Sequence, residues 1–151
     1  MSFELDKLLE ELGPKIGIEN LHVEDNTCLI RINGNILINL EADREEGYLI
    51  VGSTISALPP GRYKEDIFEA ALRANSLNNR VGIFAYSRQI DSLILYDRLW
   101  ILTLSSGGFA EFLNAFSTKV KLWQDAISRN DIPPVAGQAS AGGRGIFGLR
   151  P

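Results

Sequence analysis

The residues that could do chemistry in this chain are few. It has one histidine, His22, and one cysteine, Cys28. A metal site with two histidines therefore cannot form within one chain, and a Ser/His/Asp or Cys/His catalytic set would have to use His22 itself. His22 stands among apolar residues in a short strand-like run, which is typical of a structural histidine. Cys28 alternates with Leu29 in another such run, which predicts a small buried apolar side chain.

The acidic and glycine-rich motifs do not indicate a catalytic or phosphate-binding site. Glu10-Glu11 and Glu45-Glu46 are carboxylate pairs of the kind found on solvated faces, and adjacent residues of a helix do not converge as acid–base catalysis requires. The stretch Gly142-Gly143-Arg144-Gly145 has no strand before it and no helix after it, so it does not resemble a phosphate-binding loop. We therefore expect no metal, no cofactor and no enzymatic activity. A small enzyme built around His22 or tyrosines is the least favoured alternative.

Length and charge narrow the class of protein. The chain has 151 residues, which suits one domain, and its 15 basic and 19 acidic residues give a net charge of −4. Proteins that bind a phosphate backbone usually carry the opposite excess, so we expect neither nucleic acid nor an anionic membrane as partner. We see no apolar run of about 20 residues and no signal peptide, which favours a cytoplasmic location.

The first half of the chain predicts one helix and then strands. Apolar residues at helical spacing begin at Phe3, and Gly13-Pro14 should end this helix. A short strand at 21–23 follows. Residues 27–32 and 36–40 then flank Asn33-Gly34, which fits a two-residue type I′ hairpin turn, and 48–51 forms a third strand of this meander.

The second half predicts a helix through about 63–77, a hairpin of strands 81–86 and 92–96, and a long last helix. That helix has the strongest amphipathic pattern in the chain, and Trp123 on its stripe is expected in the core. The fold class is therefore α+β: a two-layer α-β-β-β-α-β-β-α domain with an antiparallel sheet. Its apolar faces exceed what one small sheet needs, which predicts a binding module that forms a homodimer.

The end of the chain has a different composition. Pro133-Pro134 stops the last helix, and the rest is rich in Gly and Ala with Arg144 and Arg150 as its only charges. We expect a folded domain over 1–131 and a disordered tail over 132–151. The apolar run 146–149 in that tail is either part of a mobile end or a short docking motif.

The order of these elements resembles the class I type III secretion chaperones, the Tir-chaperone (CesT-like) family. The resemblance covers about residues 3–130. The segments that carry it are, in chain order, LLEELGPKIGIENL, NTCLIRINGNILINLEAD, GYLIVGSTISALP, IFEAALRAN, DSLILYDRL and FLNAFSTKVKLWQDAI. One departure is the segment 76–80, where the family often has a glycine-rich turn.

This resemblance implies a cytoplasmic bacterial homodimer without enzymatic activity. Such proteins hold the N-terminal segment of a secreted effector in extended form and help present it to the secretion ATPase. Some relatives form a heterodimer with a related chaperone. The alternative is a non-enzymatic adaptor or regulatory domain of the same fold that binds a folded secretion or transcription partner.

The resemblance also implies two sets of site residues. The dimer interface would be built by the second helix and the strand after it; its residues are Ile67, Ala70, Ala71, Ala74, Val81 and Ile83. The alternative is that these residues face the sheet of their own subunit. The effector would contact the first helix and the strand surface; the candidates are Phe3, Leu5, Leu8, Leu9, Leu12, Ile30, Ile32, Ile36 and Ile38. Some of these must belong to the core.

Overall fold

One antiparallel sheet and two helices form the domain. The computed structural model describes residues 19–24, 27–32, 35–43 and 45–135. The strands are β1 Glu19–Glu24, β2 Thr27–Ile32, β3 Ile36–Asp43, β4 Tyr48–Ala57, β5 Ile83–Ser87 and β6 Ser92–Trp100. The helices are α1 Arg62–Asn75 and α2 Ser106–Ser128, and a short 3₁₀ turn, Ile101–Thr103, precedes α2.

The six strands are arranged in the order β1-β2-β3-β4-β6-β5, with every neighbouring pair antiparallel. The predicted α+β class with an antiparallel sheet is therefore confirmed. The predicted order α-β-β-β-α-β-β-α leaves out the short strand at 21–23. This run belongs to β1, which pairs along β2 from Glu19 opposite Arg31 to Glu24 opposite Thr27. The predicted first helix lies outside the described residues.

One face of the sheet carries the core. Side chains alternate along the strands, so that Ile30, Ile38 and Val51 point to the buried face. Helix α2 packs on β4 and β3. Its buried side chains are Phe109, Leu113, Phe116, Ser117, Val120, Trp123, Ala126 and Ile127. The predictions of a core Trp123 and a buried Cys28 are confirmed.

Two strands and one helix end at residues other than those predicted. Strand β4 continues to Ala57, although Gly52-Ser53-Thr54 is a weak strand sequence, because it pairs with β6 over its whole length. Strand β6 likewise reaches Trp100, directly opposite Tyr48. Helix α1 ends at Asn75, two residues early, where the Ser76 hydroxyl and amide both donate to the Arg73 carbonyl.

The segment after α2 remains in contact with the domain. Asn130 has a positive φ of 58°, and Val135 is buried against the core. The packed chain thus continues past the predicted boundary at residue 131. Residues 136–151 lie outside the described residues, so the tail prediction is untested.

Candidate partner-binding surfaces

The acidic, histidine and cysteine side chains of the described residues form no metal-ligating cluster. Within them, no three His, Cys, Asp or Glu side chains come together as a metal site would require. Cys28 is buried, and Glu45 and Glu46 are exposed. His22 lies in β1, where the structure describes the backbone but not this side chain. Two grooves on the surface of the domain are the candidate sites.

The first opening, the edge groove, lies between α1 and the edge strand β5. It has a volume of about 210 Å³, and its lining residues are Phe68, Ala71, Leu72, Asn75, Phe84, Ala85, Tyr86 and Leu93. Leu72 is 69% exposed on its rim, which is unusual for a leucine beside other apolar side chains. An apolar groove beside a strand edge is suited to bind another chain.

Lys64 orders the aromatic wall of the edge groove. Its Nζ donates to the Tyr86 hydroxyl at 3.2 Å and lies 4.7 Å from the centre of that ring. The same ammonium is 3.7 Å from a carboxylate oxygen of Asp91. Phe68 meets Tyr86 edge to face, with ring centres 5.4 Å apart. These contacts hold Tyr86 in place while Asp91 balances the lysine charge.

Asn75 closes part of the β5 edge. Its Nδ2 donates to the Phe84 carbonyl at 3.0 Å, and its Oδ1 accepts from the Phe84 amide at 2.8 Å. This side chain thus makes the pair of bonds that a neighbouring strand would otherwise make at Phe84. Strand addition along β5 is blocked at that position.

The second opening, the basic groove, is larger, at about 580 Å³. It lies between the end of α1, the loop before β5, α2 and the segment that follows α2. Its lining residues are Ala74, Leu77, Asn79, Arg80, Val81, Asn114, Ala115, Thr118, Lys119, Leu122, Trp123, Pro134 and Val135. Arg80 and Lys119 are the charged side chains of this wall, and both are positive.

Lys119 is held firmly at the base of this groove. Its Nζ donates to the Val81 carbonyl at 2.7 Å and lies 4.9 Å from the centre of the Phe84 ring. Burial lowers the pKa of Lys119 and Arg80 lowers it further, while Asp97 acts in the opposite direction. The net direction is downward, with burial as the largest cause.

The structure divides the predicted interface residues between different surroundings. Ile67, Ala70, Ala71 and Ala74 are all buried within one chain, as the alternative reading expected. Ala71 still lines the edge groove, and Ala74 lines the basic groove. Val81 and Ile83 are half-buried, with Val81 in the wall of the basic groove. Their role in a dimer stays a prediction.

The predicted effector residues that the structure describes lie in the core. Ile30, Ile32, Ile36 and Ile38 are between 0% and 3% exposed, which leaves no side-chain surface for a partner in this conformation. Their burial favours the core reading that the sequence left open. Phe3, Leu5, Leu8, Leu9 and Leu12 lie outside the described residues, and their effector contact stays a prediction.

Sequence reasoning missed the groove residues that matter most. Leu72 and Phe68 lie beside the buried stripe of α1, and an isolated apolar residue at such a position gives little signal. The apolar run 99–102 does not by itself show whether Trp100 is buried or exposed. Trp100 is 57% exposed, and its ring centre is 4.2 Å from that of Tyr48.

Residues 7–124 match the model of the Tir chaperone protein (CesT) family. This match spans most of the chain, and the chain therefore belongs to that family. The resemblance noted in the sequence is confirmed. No curated protein matches the chain in the corresponding sequence search.

Solved structures with the same fold include three complexes. The structure of the HopA1–SchA chaperone–effector complex has a TM-score of 0.65 and 16% identity, with 82% of this chain and 94% of the other covered. The structure of the ExsC–ExsE complex has a TM-score of 0.62 and 16% identity, with 91% of this chain and 100% of the other covered. A third structure is that of the Yersinia pestis type III secretion chaperone SycH in complex with a stable fragment of YscM2. It has a TM-score of 0.58 and 22% identity, with 78% of this chain and 97% of the other covered. Within the described ranges, no helix is long and apolar enough to cross a membrane.

Proposed function

We propose that this chain is a cytoplasmic type III secretion chaperone in a bacterium. It binds the N-terminal segment of a secreted effector in extended form and keeps it competent for secretion and for delivery to the secretion ATPase. The observation that carries this proposal is the pairing of the family fold with accessible apolar grooves at the sheet edge. The similar structures support it, since SchA was solved with the effector HopA1 and SycH with a fragment of YscM2.

The edge groove is the proposed dimer surface. It joins α1 to the strand that follows it, which is the pair of elements that the family resemblance assigns to the interface. Leu72 on its rim gains most from being covered by a second copy, because burying a leucine side chain contributes about 1.5–3 kcal/mol. A heterodimer with a related chaperone would use the same surface.

Strand β1 is the proposed edge for strand addition by the client. Among the described residues, β1 pairs with β2 alone, whereas Asn75 already satisfies β5 at Phe84. An extended peptide added to an edge gains main-chain hydrogen bonds whatever its sequence, which suits a chaperone for unfolded segments. On this proposal, the apolar stripe over residues 3–12 supplies side-chain contacts to the same client.

The proposal is tested by purifying the tagged chain from its own bacterium and identifying what elutes with it. We expect a secreted protein in stoichiometric amount, bound to two copies of this chain through its N-terminal region. Deleting the gene should then reduce secretion of that protein, and the intact gene should restore it. A partner that is folded where it is bound, or secretion that does not change, would contradict the proposal.

His22→Ala is the matched control against the enzyme alternative. An enzyme that uses the single histidine would lose its function with this substitution. A chaperone that works through apolar surfaces should bind and export its client as before.

A further inference from the structure

The basic groove differs in charge from the chain as a whole. The whole chain has a net charge of −4, yet the charged residues of this wall, Arg80 and Lys119, are both cationic. Arg80 is exposed at the rim, where its Nη1 donates to the Leu77 carbonyl at 3.3 Å. A cationic cleft attracts an anionic group even when the protein as a whole is acidic.

Asp97 is the acidic residue whose charge acts on Lys119, and backbone amides hold it in place. Asp97 Oδ2 accepts from the Gly82 amide at 3.0 Å, and its Oδ1 accepts from the Arg98 amide at 2.8 Å. Asp97 is therefore fixed by backbone amides and does not line the groove. Asp97 keeps its negative charge and acts on Lys119 from outside the lining. The lining residues themselves include no acid, so a carboxylate arriving from another molecule would meet only the two cations within the groove.

The remaining wall is suited to an extended peptide. Leu77, Val81 and Leu122 offer apolar contact surface. Asn79 and Asn114 offer amides that can donate to and accept from a peptide main chain. Residues 136–151 of the chain itself carry Arg144 and Arg150 and no acidic residue, so the charge of the groove disfavours them as occupant.

We propose that the basic groove binds an acidic, extended segment of the client, with a carboxylate between Arg80 and Lys119 and apolar side chains against Leu77, Val81 and Leu122. The inference rests on the proposed function and adds a charge preference to it. It makes the groove a selective subsite beside the less specific contacts of the sheet edge.

Peptide binding tests this site directly. In a Trp100→Phe background, Trp123 in the groove wall is the only tryptophan left, so its fluorescence reports on the groove. The probes are a synthetic peptide of leucine, glutamate and glycine and the same peptide with glutamine for glutamate. We expect the glutamate peptide to bind about fivefold more tightly, the ratio given by roughly 1 kcal/mol. Equal binding of the two, or no saturable binding, overturns the proposal.

Two charge reversals separate the groove from general charge effects. Arg80→Glu should abolish the preference for the glutamate peptide, while Arg88→Glu, an exposed arginine of the β5–β6 turn, should leave it unchanged. The same loss in both variants overturns the site. Tighter binding of a peptide with the sequence of residues 136–151 also overturns the proposal, because it would assign the groove to that segment of the chain. A change in the oligomeric mass of Arg80→Glu, measured by light scattering, overturns it as well, because it would assign the groove to a second copy. Client co-purification tests the chaperone function separately, since it can persist without this preference.

Discussion

At the residue scale, Asn75 makes a long-range contact that its position in the sequence does not predict. It is the last residue of α1, where an asparagine usually signals only the end of a helix. Its amide instead binds both backbone groups of Phe84 across the edge groove. The contact depends on how α1 lies against β5, and no local pattern shows such a long-range arrangement.

Asn75→Ala should lower the free energy of unfolding by about 1–3 kcal/mol, because it leaves a partly buried donor and acceptor of Phe84 without partners. Asn75→Asp should lose part of that amount, since a carboxylate accepts from the Phe84 amide but cannot donate to its carbonyl. Urea unfolding measures both. Asn78→Ala, at an exposed position nearby, is the control and should change stability by less than about 0.5 kcal/mol. Equal effects at positions 75 and 78 would show that the hydrogen bonds between Asn75 and Phe84 contribute nothing to stability.

Tyr63 links stability to pH at the other end of α1. Its hydroxyl donates to the Asp131 carbonyl at 2.7 Å. Burial, and secondly the charge of Asp131, raise the pKa of Tyr63 above its usual 10.0. A raised folded-state pKa means that the contribution is complete below the unfolded value and is lost as pH rises through the folded value.

Tyr63→Phe should therefore be less stable than the wild type at about pH 8, by at most about 1 kcal/mol at this partly exposed site. The difference should shrink at about pH 11, above the ordinary tyrosine pKa of about 10. Urea titrations of both proteins at the two pH values measure it. A difference that is constant or grows with pH would contradict the assigned direction.

At the element scale, the sequence predicted the helices and hairpins well where periodicity was strong. The stripe of α2 points to the same face that the structure buries. In β2 and β3, by contrast, the resemblance suggested effector contacts at Ile30, Ile32, Ile36 and Ile38, and the structure buries all four. The second half of β4 could not be predicted, because its Gly and Ser residues form a strand only when β6 pairs with them. Turns that depend on tertiary contact were missed for the same reason.

Gly82 is an example of such a turn. It precedes β5 with a φ of +78°, and an added Cβ would lie 2.8 Å from Leu95 Cδ1 in the core. Gly82→Ala should therefore destabilise the domain by about 1–3 kcal/mol through backbone strain and overpacking. Gly107→Ala is the matched control, because that position in the first turn of α2 has open space and should gain up to about 1 kcal/mol. Thermal unfolding of the two variants should shift in opposite directions, and a shift in the same direction would be evidence against a constrained turn.

At the scale of the whole molecule, the sequence indicated the class of protein more reliably than its binding surface. Family and fold follow from the order of elements along most of the chain, and both predictions are confirmed. The surface depends on which apolar residues remain exposed after the core has formed. Ile30 and Leu72 look equally apolar in sequence, yet one is fully buried and the other lies on the rim of a groove. Composition cannot separate them, because that difference arises from packing.

The same distinction decides how the proposed dimer must be tested. Ala71→Arg is the substitution that the sequence suggests, but Ala71 is only 5% exposed within one chain, so an arginine there would disrupt the subunit itself. Leu72 is the next residue of α1 and lies on the exposed rim of the edge groove. Leu72→Asp should therefore leave the subunit folded while it places a negative charge in the proposed interface. We expect light scattering to show the mass of a single chain for this variant and twice that mass for the wild type.

Leu102→Asp supplies the control, because Leu102 is 94% exposed and lies outside both grooves. It should remain a dimer, which separates the edge groove from a general effect of added negative charge. If Leu72→Asp keeps the dimer mass and a native thermal transition, α1 and β5 do not form the interface. The second copy would then dock on another surface. The half-buried Tyr48 and the exposed Trp100, whose ring centres are 4.2 Å apart, form one aromatic candidate outside both grooves.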